Sequence, residues 1–76
     1  MAASAQAIPA GQPRKFIKLR DVRSLTTLST SELYRRIAAG TFPRQVMLGP
    51  KSAVWIEAEV TAWCEARINA SRGEAA

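Results

Sequence analysis

The stretch TTLSTSELYRRIAAGTFPRQ, residues 26–45, limits the fold most strongly, because it sets two helical patterns only a few residues apart. The first pattern ends just before Ser29, which stands three residues before Glu32 in the spacing of a helix-capping box. Gly40 occupies the position where a left-handed glycine commonly ends a helix. We therefore predict two short helices joined by a tight turn, the second over residues 30–39.

The rest of the sequence sets the bounds of the first helix and predicts a β-hairpin and a third helix after the second one. Apolar residues at helical spacing place the first helix at about residues 20–26. Two β-prone runs, residues 46–48 and 53–55, flank a turn-rich segment and predict a hairpin. The apolar residues predicted to share one face of the last helix are Ile56, Val60, Trp63, Cys64 and Ile68. The order α-α-β-β-α, mainly α with a small β-hairpin, is that of a winged helix-turn-helix.

Length and composition divide the chain into one small domain and two tails. Residues 1–13 are rich in Ala, Ser, Gln, Pro and Gly and predict a disordered N-terminal arm. Residues 14–70 form the predicted DNA-binding domain, and residues 71–76 a disordered tail. A chain of 76 residues buries only about 60% of its unfolded surface, so a deep catalytic cleft is not expected.

The charge is strongly uneven along the chain. The net charge is +5, but residues 14–51 hold nine Lys/Arg against two acidic residues. Residues 52–76 hold two Arg against four Glu. A basic body with an acidic closing segment is typical of a domain that faces a polyanion with one side. A generally solvated basic surface is the alternative.

The composition also excludes several kinds of chemistry. The sequence has no His and one Cys, which rules out His/Cys metal clusters, Ser-His or Cys-His nucleophile pairs and an internal disulfide. Glu57 and Glu59 lie about 200° apart on a helix, so they cannot act as a carboxylate pair. No signal peptide and no run of about 20 apolar residues is present. We expect a cytoplasmic bacterial protein that is not an enzyme and needs no cofactor or metal.

The motifs resemble a known family in their order and spacing. From Leu19 to Pro43 the chain reads L-x-D-V-x-x-L-T-x-L-S-x-S-x-L-Y-R-x-I-A-x-G-x-F-P, followed by L-G-x-K and W-x-x-x-E-V-x-x-W. This resembles the AlpA-type regulators of phages and prophages, which are related to excisionases, also called recombination directionality factors. The resemblance implies a MerR-like winged-helix fold over about residues 16–69.

Two positions depart from that family. Thr27 stands where the family usually has Gly, so a left-handed backbone there would cost roughly 1 kcal/mol or more and would reshape the turn. The hairpin tip has Lys51 in place of an Arg after a Gly-Gly-like run. Lys lacks the bidentate fork of Arg, which favours phosphate contact over base reading at the tip.

The second helix supplies the predicted reading surface. With the apolar stripe inward, Arg35 lies at the centre of the outward face, where it could fork onto guanine O6/N7. The predicted base-reading residues are Thr30, Ser31, Tyr34 and Arg35. The predicted backbone-contacting residues are Arg14, Lys15, Lys18, Arg20, Arg36, Arg44 and Lys51. The alternatives are a solvated Arg35, an Arg36 paired with Glu32 four residues earlier, and a half-buried Tyr34 packed on the hairpin.

The aromatic residues allow a second interpretation. Trp55, Trp63, Phe42 and Phe16 suggest base stacking, as on single-strand platforms. Core packing is favoured, because Trp55 ends a strand, Trp63 lies on an apolar helix face and Phe42 follows a helix end. Cys64 is expected to pack as a small hydrophobe.

The sequence thus predicts a sequence-specific double-stranded DNA-binding protein of a mobile genetic element. It would act as an AlpA-like transcriptional regulator, as an excisionase, or as both, with neighbouring copies and an integrase as possible partners. One module of this size buries only about 600–1,000 Å², which requires repeated sites or a partner. Alternation places Met47 and Val54 on the outer hairpin face, which indicates an apolar contact between neighbouring protomers. The alternative is a protein-interaction module without DNA contact, docking through the acidic last helix or the outer hairpin face.

Overall fold

The computed structural model describes residues 14–73, so the predicted arm at residues 1–13 and residues 74–76 lie outside the described part. Within that part the elements are β1 Phe16–Ile17, α1 Leu19–Thr26, α2 Thr30–Ala39, β2 Val46–Gly49, β3 Ser52–Ile56 and α3 Glu57–Ser71. Three helices and a small antiparallel sheet with a hairpin are consistent with a winged helix-turn-helix. The α3 helix ends one residue beyond the predicted domain boundary.

The first strand, β1, is an element that the predicted order lacked. Phe16 lies opposite Ile56 and Ile17 opposite Trp55, in an antiparallel pair that makes β3 the central strand of the order β1-β3-β2. Two residues are too few to show the alternation by which strands are predicted. Phe16 and Ile17 form an edge strand because they pair with β3, which lies nearly forty positions away in the sequence.

The turn between α1 and α2 keeps the left-handed backbone that the sequence makes costly. Thr27 has φ 63° and ψ 10°, and its N–H donates to the carbonyl of Arg23 at 2.7 Å. The Thr26 hydroxyl donates to the carbonyl of Val22 at 2.8 Å and accepts from the N–H of Leu28 at 3.2 Å. These bonds hold the turn in place, and the β-branched Thr27 carries the strain of the left-handed backbone.

Replacing Thr27 with glycine is expected to stabilise the domain by about 0.5–1 kcal/mol, since relief of the left-handed strain exceeds the added entropy of the unfolded chain. Urea unfolding followed by circular dichroism measures the change. Thr27→Ala is the matched control, because it keeps a Cβ at positive φ and removes the same hydroxyl. Equal stabilisation by both variants would show that the backbone conformation is not the cause.

The ends of α2 are largely as predicted. The Ser29 hydroxyl accepts from the backbone N–H of Glu32 at 3.1 Å, and Gly40 has φ 79° at the C-terminal end. The reciprocal half of the capping box does not form. The Glu32 carboxylate turns instead to Arg35 and Arg36, because two guanidinium partners outcompete one backbone N–H.

The core lies between the helices and one face of the sheet. Its buried residues are Ile17, Val22, Leu33, Phe42, Trp55 and Val60, with Trp63 and Cys64 packed partly against them. Ile68 continues the same face of α3 but is 39% exposed. Residues 65–71 are all exposed, which shows that the last two turns of α3 extend beyond the core. Ile56 belongs to β3 and only precedes the helix.

The hairpin register corrects the predicted outer face. Met47 lies opposite Ala53, whereas Val54 lies opposite Val46, so Met47 and Val54 are on opposite faces of the hairpin. Val54 is buried and Met47 is 54% exposed. The register shifts between Met47 and Gly49, and such an irregularity cannot be counted from alternation in the sequence. The two residues therefore do not form a shared apolar contact surface.

Candidate nucleic-acid interface

The outward face of α2 is uncovered among the described residues. Ser31, Arg35, Ala38 and Ala39 are all exposed, while Leu33 on the opposite side is fully buried. The side chain of Arg35 is 75% exposed. Because the side chains on either side of the exposed arginine are small, this face of α2 can come close to base edges in a major groove. Thr30, at the start of the helix, is half-buried.

Glu32 links the two arginines of α2. One carboxylate oxygen accepts from Nη2 of Arg35, and the other accepts from Nε of Arg36 at 2.7 Å. Desolvation acts to raise the pKa of the Glu32 carboxyl, but the hydrogen bonds and charges of Arg35 and Arg36 together hold the pKa below its ordinary value. The carboxylate is therefore ionised at neutral pH and neutralises one of the two positive charges.

Arg36 is held more tightly than its neighbour. Its side chain is 35% exposed, and its guanidinium lies 5.7 Å from the centre of the Trp63 ring. Arg67 approaches the same ring at 5.6 Å. The ion pair with Glu32, left open by the sequence, is thus present, and Arg36 also joins α2 to α3 through a cation–π contact.

The two tryptophans fix the loop that follows α2. The indole N–H of Trp63 donates to the carbonyl of Thr41 at 2.7 Å, and that of Trp55 donates to the carbonyl of Pro43 at 3.2 Å. Phe42 lies edge-on to Trp63 with ring centres 4.9 Å apart. Core packing is confirmed for Trp55 and Phe42, which are buried and closed to a stacking base. Phe16, in contrast, is 46% exposed.

Tyr34 combines both interpretations that the sequence allowed. Its ring lies edge-on to Trp55, with centres 6.3 Å apart, so it packs beside the hairpin. It is also 38% exposed, on the flank of the outward face of α2. Its orientation is therefore fixed by the core while part of the side chain stays open to a ligand.

Arg20 lies in the first turn of α1, which begins at Leu19. It lines an open cleft of about 410 Å³ that also contains Arg23 and Ser29, the N-terminal cap of α2. Arg23 was not among the residues predicted from the sequence to contact DNA. Its spacing of three residues from Arg20 would have placed both guanidinium groups on one helical face.

Lys15 lies against the first residue of α3. Its carbonyl accepts from the N–H of Glu57 at 2.8 Å, and its Nζ lies 3.7 Å from the Glu57 carboxylate. It lines a second cleft, of about 310 Å³, together with Asp21 and Leu25. This cleft holds the carboxylates of Asp21 and Glu57 beside Lys15, whereas the charged side chains of the cleft at the turn are both arginines.

The other predicted phosphate-contacting residues stand at the surface. Arg14 and Lys18 are exposed on either side of β1, and the Lys18 N–H donates to the Asp21 carboxylate at 3.1 Å. Arg44 is exposed in the loop before β2, and Lys51 is exposed at the hairpin tip. These basic residues stand on separate segments of the chain, before α1, before β2 and at the hairpin tip.

Residues 14–73 contain no group of three or more side chains suited to holding a metal ion. Cys64 is a free, half-buried thiol whose sulfur lies 4.0 Å from the carbonyl of Leu25. Over the same residues, each helix is too short or too polar to cross a lipid bilayer.

Two short helices around a tight turn, with a hairpin beside them and an exposed arginine on the second helix, are consistent with a small domain of the helix-turn-helix type. The family model of the Prophage CP4-57 regulatory protein (AlpA) matches residues 15–68. The chain therefore belongs to the AlpA family of phage regulatory proteins, as the motifs predicted.

A relative from Enterobacteria phage P4, described as uncharacterized protein ORF88, is 44% identical over 54 residues. The match covers 71% of this chain and 61% of the relative, so the chain spans about three fifths of that protein's length. No solved structure gives a significant match to the chain.

Proposed function

We propose that this protein is a sequence-specific double-stranded DNA-binding regulator of a mobile genetic element. The observation that carries the proposal is the uncovered outward face of α2, on which Arg35 is 75% exposed between small side chains. A short helix with this face fits the major groove, where a guanidinium fork reads guanine. Membership of a phage regulatory family supports the same assignment.

The residues divide into two roles. Arg35 reads a base, with Thr30, Ser31 and Tyr34 contacting bases at its edges. Arg20, beside the turn, and Lys51, at the hairpin tip, contact phosphates on either side of the groove. The remaining predicted backbone contacts are Arg14, Lys15, Lys18, Arg36 and Arg44. Of these, Lys15 and Arg36 must exchange a protein carboxylate for a phosphate.

One module of this size contacts a short site, so specificity requires repeated sites occupied by neighbouring copies. We propose that the protein acts in the bacterial cytoplasm, on promoter DNA of the element, as a MerR-like winged-helix regulator. On attachment-site DNA the same binding would make it a recombination directionality factor that assists an integrase. Footprinting on both kinds of DNA separates these roles.

Fluorescence anisotropy with a labelled duplex at 50 and 200 mM salt tests DNA binding itself. Setting aside Lys15 and Arg36, which are already ion-paired, five phosphate-contacting residues predict a slope of about −4.5 for log Kobs against log salt. Absence of binding at 50 mM salt would contradict the proposal. It would favour the alternative of a protein-interaction module without DNA contact.

A further inference from the structure

We propose that Glu32 is a specificity-determining residue, which suppresses phosphate binding by the α2 arginines while leaving the reading of a base intact. The inference rests on the proposed function and deepens it. Glu32 is the one acidic residue of α2, and each of its carboxylate oxygens accepts from a different arginine. Its part in the N-terminal cap of α2 is made by its backbone N–H, which donates to the Ser29 hydroxyl and does not require the carboxylate.

The two arginines differ in how firmly Glu32 holds them. Arg36 is fixed on two sides, by the carboxylate and by the ring of Trp63, and its side chain is 35% exposed. Arg35 is held by the carboxylate alone and is 75% exposed. Arg35 is therefore the arginine that DNA reaches first, and Glu32 travels beside it into any groove that α2 enters.

The pairing removes charge from Arg35 but leaves most of its hydrogen-bond donors. A guanidinium has five N–H donors, and the contact with Glu32 is made through Nη2. A phosphate is attracted mainly by net charge, and the paired carboxylate opposes that attraction at short range. A guanine edge is recognised by the directions of its two acceptors, which the remaining donors of the guanidinium fork still satisfy.

The consequence is a difference between two kinds of duplex. On DNA that offers no guanine at the right place, Arg35 gains only a phosphate contact, which must compete with Glu32. On the target, Arg35 gains the directional base contact without releasing the carboxylate. Glu32 thus weakens sequence-independent binding more than sequence-dependent binding, and it raises the ratio between them.

The test compares two DNA samples of equal length. One is a single duplex that the wild-type protein selects from a random pool, and the other is the unselected pool itself. For Glu32→Gln we expect affinity for the random pool to rise about tenfold, with a salt slope steeper by about one. Affinity for the selected duplex should rise less than about threefold, so the specificity ratio falls. Glu32→Asp keeps the charge and should restore most of the ratio.

The matched control is Glu65→Gln, which makes the same change in net charge at an exposed position of α3. It should alter both affinities equally and leave the ratio unchanged. A ratio that is also unchanged in Glu32→Gln overturns the inference, as does an equal loss of affinity for both duplexes, which would mean that Glu32 only holds the helix. If the wild-type protein binds neither DNA sample, the proposed function is wrong, and the inference about Glu32 is wrong with it. An unchanged ratio in a protein that does bind DNA contradicts only the inference about Glu32.

Discussion

Replacing Trp55 with alanine is expected to lower the free energy of unfolding by about 3–5 kcal/mol, the usual cost of removing a large buried aromatic side chain. Trp55 is fully buried on the central strand β3. It contacts the ring of Tyr34 on α2 and donates to the carbonyl of Pro43 in the loop after that helix. Its loss therefore opens the core at the place where the sheet supports α2.

A domain of this size has little stability to spare, since small domains lie near the low end of about 5–15 kcal/mol. Trp55→Ala should be largely unfolded at 37 °C, as seen by loss of the far-ultraviolet circular dichroism signal and of a cooperative urea transition. Leu48→Ala is the control on the same sheet, because Leu48 is 58% exposed and its truncation should change stability by less than about 0.5 kcal/mol. A cooperative Trp55→Ala transition with a loss below about 1 kcal/mol would show that Trp55 is not central to the fold.

The helix-turn-helix part of the fold was predictable because its signals are local. Ser29 caps α2 and Gly40 ends it, and each acts on backbone groups within four residues of itself. The cost of Thr27 was visible only through the resemblance to a family that usually has Gly there, whereas the signals at the ends of α2 are read from the sequence itself. Local chemistry of this kind needs no knowledge of the tertiary structure.

What the sequence could not supply depends on long-range partners or on competition between partners. The strand β1 is defined by β3, and the burial of Val54 by a hairpin register that shifts near Gly49. The contact of Arg36 with Trp63 requires α3 to pack against the end of α2. In the case of Glu32, the sequence allowed both a capping box and a pair with the arginines, and in the folded chain the carboxylate pairs with the arginines.

The same distinction applies to the candidate interface. The outward position of Arg35 follows from helical geometry, once Leu33 is placed inward. The grouping of Arg20 and Arg23 beside the turn depends on how α1 lies against α2, and the pairing of Lys15 with Glu57 depends on β1. A charge count along the sequence treats Arg20, Arg23 and Lys15 alike. In the structure the two arginines line an open cleft, whereas Lys15 is paired with a carboxylate.

Replacing Arg35 with alanine is expected to cost about 1–3 kcal/mol on a selected duplex, or roughly 5- to 150-fold in affinity, through loss of one bidentate base contact. The fold should be unaffected, because an exposed ion pair contributes little stability and Glu32 keeps Arg36 as a partner. The loss should be confined to one base pair of the site, where the variant no longer distinguishes the four bases. Arg35→Lys should keep part of the affinity without restoring that discrimination, since an ammonium group lacks the fork.

Lys51→Ala provides the contrasting pattern of a phosphate contact, with a uniform loss on all duplexes and a salt slope smaller by about one. Should Arg35→Ala instead weaken selected and random duplexes equally, its guanidinium contacts phosphate and not a base, and if it weakens neither, α2 is not the element that enters the groove.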